Sequence, residues 1–124
     1  DRIRSWRQYH AAFAELESLG RVERPGIPEG CAQNAPMYYL TAEDIHERTE
    51  LIRFLSETAN VGAVFHYIPL HSAPAGRKYG RFHGEDVYTT KESERLLRLP
   101  MFYGLTSAQV DRVVGAVYDF YAKH

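Results

Sequence analysis

The chain has 124 residues, 44% apolar and 25% charged, with a formal net charge of −1, which suits one ordinary globular domain with one core. Its basic residues are not clustered, which argues against nucleic acid or an acidic membrane surface as a partner. Cys31 is the only cysteine, so no internal disulfide is possible and a reducing cytoplasm is compatible; no apolar run approaches the roughly 20 residues of a membrane helix, and no secretory signal is visible.

The chain opens on Asp1-Arg2-Ile3-Arg4-Ser5-Trp6 with no Met, already inside a helical pattern, as expected of a piece of a longer polypeptide. From Ile3, apolar residues recur at Trp6, Tyr9, Phe13, Leu16 and Leu19, steps of three or four that place one stripe on a docking helix. Gly20 follows as a stop signal, and Arg24-Pro25-Gly26-Ile27-Pro28-Glu29-Gly30 reads as a loop. Met37-Tyr38-Tyr39-Leu40 is a short strand. Asp44 is an N-cap with Glu47 at capping-box spacing. The helix it starts carries Leu51, Ile52, Leu55 and Ala59 on one face, with Arg48, Glu50, Arg53 and Glu57 assigned to solvent, and Asn60 and Gly62 flank its end.

The central strand is expected from about Val61 to Ile68, an apolar, β-branched and aromatic run read as buried. Pro69 ends it, since proline has no N–H to give a ladder. The chain leaves that strand carrying His66 just before the break and His71 just after it. A long, glycine-punctuated loop from Ala75 to about Thr90 follows. Its aromatics, Tyr79, Phe82 and Tyr88, argue for order and function. Thr90 is expected to cap a short helix through Leu97, and Leu99-Pro100-Met101-Phe102-Tyr103 to form a third strand or edge. Thr106 and Gln109 make a second capping-box spacing. The last helix carries Val110, Val113, Val114, Val117, Phe120 and Tyr121 as an amphipathic stripe. Few and short strands between helices predict an α+β, two-layer sandwich: a small mixed or antiparallel sheet with helices on one face.

His66, His71 and His83 lie at spacings of five and twelve. There is no HExxH and no cysteine pair, so zinc is disfavoured even with Glu85 or Asp86 as an added ligand. Imidazole N–H donors suit an oxyanion such as phosphate; the alternative for His66 is a hydrogen-bonded strand-end residue. Ser72, Ser107 and Cys31 have no nucleophile setting, and there is no P-loop or GxGxxG. Nine tyrosines suit an interface or a sugar or phosphate site. No complete catalytic set is present.

Phe65-His66-Tyr67-Ile68-Pro69-Leu70-His71-Ser72-Ala73-Pro74-Ala75-Gly76, then Phe82-His83-Gly84-Glu85-Asp86, then Tyr88 through Pro100, closely resemble the C-terminal part of sugar-nucleotide aminotransferases of the DegT/DnrJ/StrS family. The resemblance extends from the Arg4-x-Trp6-x-x-Tyr9 helix to the last helix, and is nearest the branch acting on dTDP-4-oxo-6-deoxy-D-glucose for surface polysaccharide. It implies that residues 1–124 are the C-terminal small domain of a fold-type I, pyridoxal 5'-phosphate-dependent transaminase, with the large cofactor-binding domain outside this chain. Lys78, Lys91 and Lys123 do not stand in the motif of the Schiff-base lysine, so no catalytic residue is assigned. The piece alone is expected to be inert and to bind no cofactor.

The implied parent is a cytoplasmic homodimer that passes an amino group from glutamate to C4 of a dTDP-4-keto-6-deoxy sugar. Its implied partners are its own large domain, the second subunit, the dTDP-sugar and glutamate. Substrate contacts are expected from His66, Tyr67, His71, Tyr79, Phe82 and His83, with the first and third facing diphosphate or sugar hydroxyls and Tyr79 and Phe82 walling the pocket. One departure is Pro36, where relatives often carry His. The alternative is a non-catalytic nucleotide-sugar-binding or dimerisation module. The isolated piece is also expected to self-associate or swap its first helix through the apolar face it exposes.

Overall fold

The computed structural model describes residues 1–123. In chain order the elements are α1 (Arg2–Ala12), α2 (Ala14–Ser18), β1 (Tyr38–Thr41), α3 (Ile45–Glu57), β2 (Val64–Phe65), α4 (Pro74–Tyr79), α5 (Thr89–Arg95), β3 (Leu96–Leu99) and α6 (Ser107–Lys123). The three strands form one antiparallel sheet in the order β1-β3-β2. The α+β architecture is therefore as expected, with the antiparallel arrangement.

The first stripe folds as two helices with a break at Phe13, yet Trp6, Tyr9, Phe13 and Leu16 are all buried while Ile3 and Leu19 stay exposed. Gly20 sits at φ +70°, the left-handed conformation that glycine adopts without penalty. Asp44 accepts from the amides of His46 and Glu47, both at 2.8 Å. Glu47 returns its bond to the amide of Glu43, one residue earlier than a capping box requires. The box at the start of α6 is complete: the amide of Gln109 donates to the Thr106 hydroxyl and the amide of Thr106 donates to the Gln109 side chain.

The middle of the sheet is not where the apolar run placed it. The central strand is β3, which pairs Leu99 with Tyr38 and Leu97 with Leu40 on one side, and Leu97 with Phe65 on the other. The segment expected to be a buried central strand from Val61 to Ile68 contributes only Val64–Phe65, at an edge, with both side chains about half exposed (49% and 47%). Leu96 and Leu97, expected to continue a helix, form the strand instead, and Pro100 ends that strand rather than beginning one. Helical spacing cannot separate a last helical turn from a strand when the run is four residues long; pairing to β1 decided it.

Paired residues of antiparallel strands share a face, so Tyr38, Leu40, Leu97 and Leu99 line the helix side. There they join Trp6, Tyr9 and Phe13 of α1, Leu51 and Leu55 of α3, and Val110, Val113, Val117 and Phe120 of α6 in one core. Arg48, assigned from sequence to solvent, is buried, and its guanidinium carbon stands 5.2 Å from the centre of the Phe65 ring. The opposite face presents Tyr39, Val64 and Arg98.

Candidate functional site

The segment after β2 folds back on itself. Pro69 accepts from the amides of Ser72 and Ala73, and α4 begins at Pro74, where a missing N–H costs nothing. Gly76 lies against the carbonyl of Leu70, and a Cβ on Gly76 would drive into that oxygen. The close approach brings α4 onto the turn and leaves two open grooves that share Leu70.

The first groove, about 540 Å³, is lined by His66, Tyr67, Ile68, Leu70, Ser93 and Leu96 among others. The His66 and Tyr67 rings lie 4.5 Å apart at 52°. Nδ1 of His66 is buried and has no hydrogen-bond partner among the described residues. The second groove, about 520 Å³, is lined by Leu70, His71, Gly76, Tyr79, Arg81 and Phe82 among others. There the His71 ring packs 4.4 Å from Phe82, and its Nε2 donates to Asp86 at 2.8 Å. Asp86 also accepts from the amide of Thr90 at 3.2 Å and from the Thr90 hydroxyl. These bonds, that of the Thr90 hydroxyl first, hold the Asp86 carboxyl below the usual carboxylate range.

Of the residues expected to touch substrate, His66 and Tyr67 share one groove and His71, Tyr79 and Phe82 share the other. His83 is exposed and lines neither. Neither imidazole is sealed in the core, since both residues are half-buried. The sequence suggests Asp86 only as a metal ligand, and Thr90 only as a cap. The structure places Thr90 inside α5, whose N-cap position is Tyr88 with no side-chain cap bond, so the expected Thr90 cap does not form; Asp86 instead accepts from the Thr90 amide and anchors His71. Leu70 carried no signal, and Arg81 entered only within the Tyr79-to-His83 loop that the resemblance puts near substrate. The long loop is in fact interrupted by α4. Among the described residues no group of three His, Cys, Asp or Glu side chains is placed to hold a metal ion.

Pyridoxal phosphate needs a lysine for its carbonyl carbon and several donors around its phosphate. No lysine lines either groove. The ammonium of Lys78 lies over the Tyr79 ring, and that of Lys123 over Phe54 on the far side of the core. The residues of this chain do not by themselves fit that cofactor.

The sequence model of the DegT/DnrJ/EryC1/StrS aminotransferase family matches residues 1–118. Among solved structures, the aminotransferase TlmJ from Streptoalloteichus hindustanus superposes with a TM-score of 0.79 at 23% identity over 97% of this chain and 31% of its own. NtdA from Bacillus subtilis, solved with bound cofactor PMP, gives 0.82 at 22% identity over 98% and 28%. A DegT DnrJ EryC1 StrS aminotransferase from Brucella abortus gives 0.72 at 26% identity over 96% and 30%. The chain thus spans a little under a third of the length of these proteins. With the family model covering nearly the whole chain and the same fold in the solved structures, the chain belongs to the DegT/DnrJ/EryC1/StrS aminotransferase family.

Proposed function

We propose that this chain is the C-terminal, substrate-side domain of a pyridoxal phosphate-dependent transaminase that moves an amino group from glutamate to C4 of dTDP-4-oxo-6-deoxy-D-glucose. The observation that carries the reading is the pair of adjoining grooves, each with one histidine at its wall. His66 lines one with a ring nitrogen still lacking a partner, and His71 lines the other with its ring fixed by Asp86.

The diphosphate and hexose lie along these grooves. His66 donates to a sugar hydroxyl or phosphate oxygen, Arg81 supplies a positive charge, and Tyr79 and Phe82 wall the apolar side. The cofactor, held by the rest of the polypeptide, supplies the electron sink for amino transfer. The residues here orient the sugar and exclude water from it. The enzyme acts as a cytoplasmic homodimer, and the piece alone is inert. The nucleotide and the C4 position rest on the likeness of the Phe65–Gly76, Phe82–Asp86 and Tyr88–Pro100 runs to that branch of the family.

The test is turnover by the full-length polypeptide with glutamate and dTDP-4-keto-6-deoxyglucose, followed by mass spectrometry of the sugar nucleotide and by formation of 2-oxoglutarate. Equal or better turnover of a UDP- or GDP-linked keto sugar would overturn the nucleotide assignment. No transamination of any keto sugar would overturn the function. The alternative, a non-catalytic binding or dimerisation module, is favoured by the exposed run of Val64, Phe65, Tyr67, Ile68 and Leu70; nucleotide-sugar binding or self-association without turnover would select it.

A further inference from the structure

Of the two ring nitrogens of His71, only Nε2 has a partner among the described residues. It lies 2.8 Å from Oδ2 of Asp86 and 3.5 Å from the Thr90 hydroxyl. The donors around Asp86 fix where the ring proton stands. The Thr90 hydroxyl has one hydrogen, and it goes to Oδ2 of Asp86. The Thr90 amide donates to Oδ1 at 3.2 Å. These bonds, that of the hydroxyl first, hold the Asp86 carboxyl below its usual range, so it is ionised and accepts only. Nothing that faces Nε2 can donate to it, and Nε2 therefore carries the proton. A neutral imidazole has one, which leaves Nδ1 a bare acceptor. Asp86 and Thr90 do not line the groove that His71 lines, and Phe82 braces the ring at 4.4 Å. Arg81 lines the same groove, and its guanidinium only donates.

We propose that Asp86 is a positioning residue: it keeps the proton of His71 on Nε2 and so presents Nδ1 to the nucleotide sugar as the acceptor for a hydroxyl. The inference rests on the substrate-side reading above and deepens it. A bare ring nitrogen repels a phosphate oxygen and attracts a hydroxyl, because both it and the phosphate oxygen only accept. The groove thus divides the ligand by chemistry: Arg81 meets the diphosphate, and His71 meets a hydroxyl. That hydroxyl belongs to the hexose or to the deoxyribose, and the experiment separates the two.

The experiment uses the full-length holoenzyme with isotope-labelled histidine, at about pH 8, above the ordinary range of imidazole protonation. Long-range proton–nitrogen spectra, with His71 assigned by its loss in His71→Ala, should show Nε2 protonated and Nδ1 bare. Asp86→Asn, which puts an N–H where the carboxylate accepts, should mix the two tautomers, and Thr90→Ser, which keeps the hydroxyl, should not. Keto sugar nucleotides lacking the C2 or C3 hydroxyl of the hexose, or the C3′ hydroxyl of the deoxyribose, then identify the partner. One of them should bind the wild type about 2- to 10-fold more weakly than the parent ligand does, the range of one neutral hydrogen bond. His71→Ala should bind that analogue and the parent alike. The wild-type spectra and the analogue series need no Asp86 variant. A proton on Nδ1 in the free enzyme, or an unchanged tautomer in folded Asp86→Asn, would overturn the positioning role. Hydroxyl losses of equal size in His71→Ala and wild type, or no loss with any analogue, would overturn the contact while leaving the transaminase reading intact. A wild-type enzyme that binds no dTDP-linked keto sugar would overturn both.

Discussion

Asp86 ties the two ends of the glycine-rich segment together: it accepts from Nε2 of His71 at 2.8 Å and from the amide of Thr90, where α5 begins. One carboxylate thus holds an amide in the first turn of a helix and sets the orientation of a groove-lining ring. Asp86→Ala should leave the core intact and loosen residues 71–90, read as faster amide exchange confined to that stretch. The folded carboxyl titrates below its usual value, so its contribution is fully present above about pH 4, the unfolded value, and is lost as pH falls through the lowered one. The ordered segment should therefore persist through mild acid, and Asp86→Ala should abolish its acid transition. An unchanged transition in the variant would count against the anchor.

Tyr9 and Tyr38 are both fully buried, with rings stacked 5.1 Å apart, but only one hydroxyl is satisfied. Tyr9 donates to the carbonyl of Pro100 at 3.0 Å, whereas the Tyr38 hydroxyl has no partner among the described residues. Tyr9→Phe should cost about 1 kcal/mol. Tyr38→Phe should be neutral or stabilising, since it removes a buried group that gains nothing. Urea unfolding of the two variants decides. Burial pushes the hydroxyls of Tyr9, Tyr38 and Tyr121 upward. Unfolded tyrosines ionise near pH 10, so the fold should lose stability as pH rises past about 10, with tyrosinate absorbance appearing together with unfolding.

Gly76 and Gly115 both lie in helices and should respond to alanine with opposite signs. At Gly76 the added methyl meets the Leu70 carbonyl, and the forced shift should cost about 1–3 kcal/mol and distort both grooves. At Gly115 nothing lies within 4 Å of where a Cβ would stand, so alanine should stabilise α6 by about 0.5–1 kcal/mol. Thermal unfolding of the pair reads both signs.

The location of the middle strand is itself testable. Leu97 is fully buried, whereas Phe65, its partner on β2, is 47% exposed. Leu97→Ala should cost about 2–5 kcal/mol, and Phe65→Ala clearly less despite the larger side chain. The reverse order in denaturant midpoints would return the core to the Val61–Ile68 run.

Much of this molecule is legible along the chain because the signals are local. The cap at Asp44, the box at Thr106 and Gln109, the stripe of α6 and the stop at Gly20 each depend on residues a few positions apart, and each is present in the structure. His66, Tyr67, His71, Tyr79 and Phe82 are drawn together in the sequence only through the resemblance to the family, and the fold divides them between two adjoining grooves. The order β1-β3-β2 is not local. An apolar residue looks the same whether pairing carries it to the middle of a sheet or leaves it at an edge, so Val64 and Phe65 read as buried and Leu96–Leu97 as helix until Leu97 is paired with Leu40 and Phe65. The burial of Arg48 and the anchor between His71 and Asp86 have the same origin. Each is set by which distant backbone arrives alongside, and a one-dimensional pattern holds no record of that.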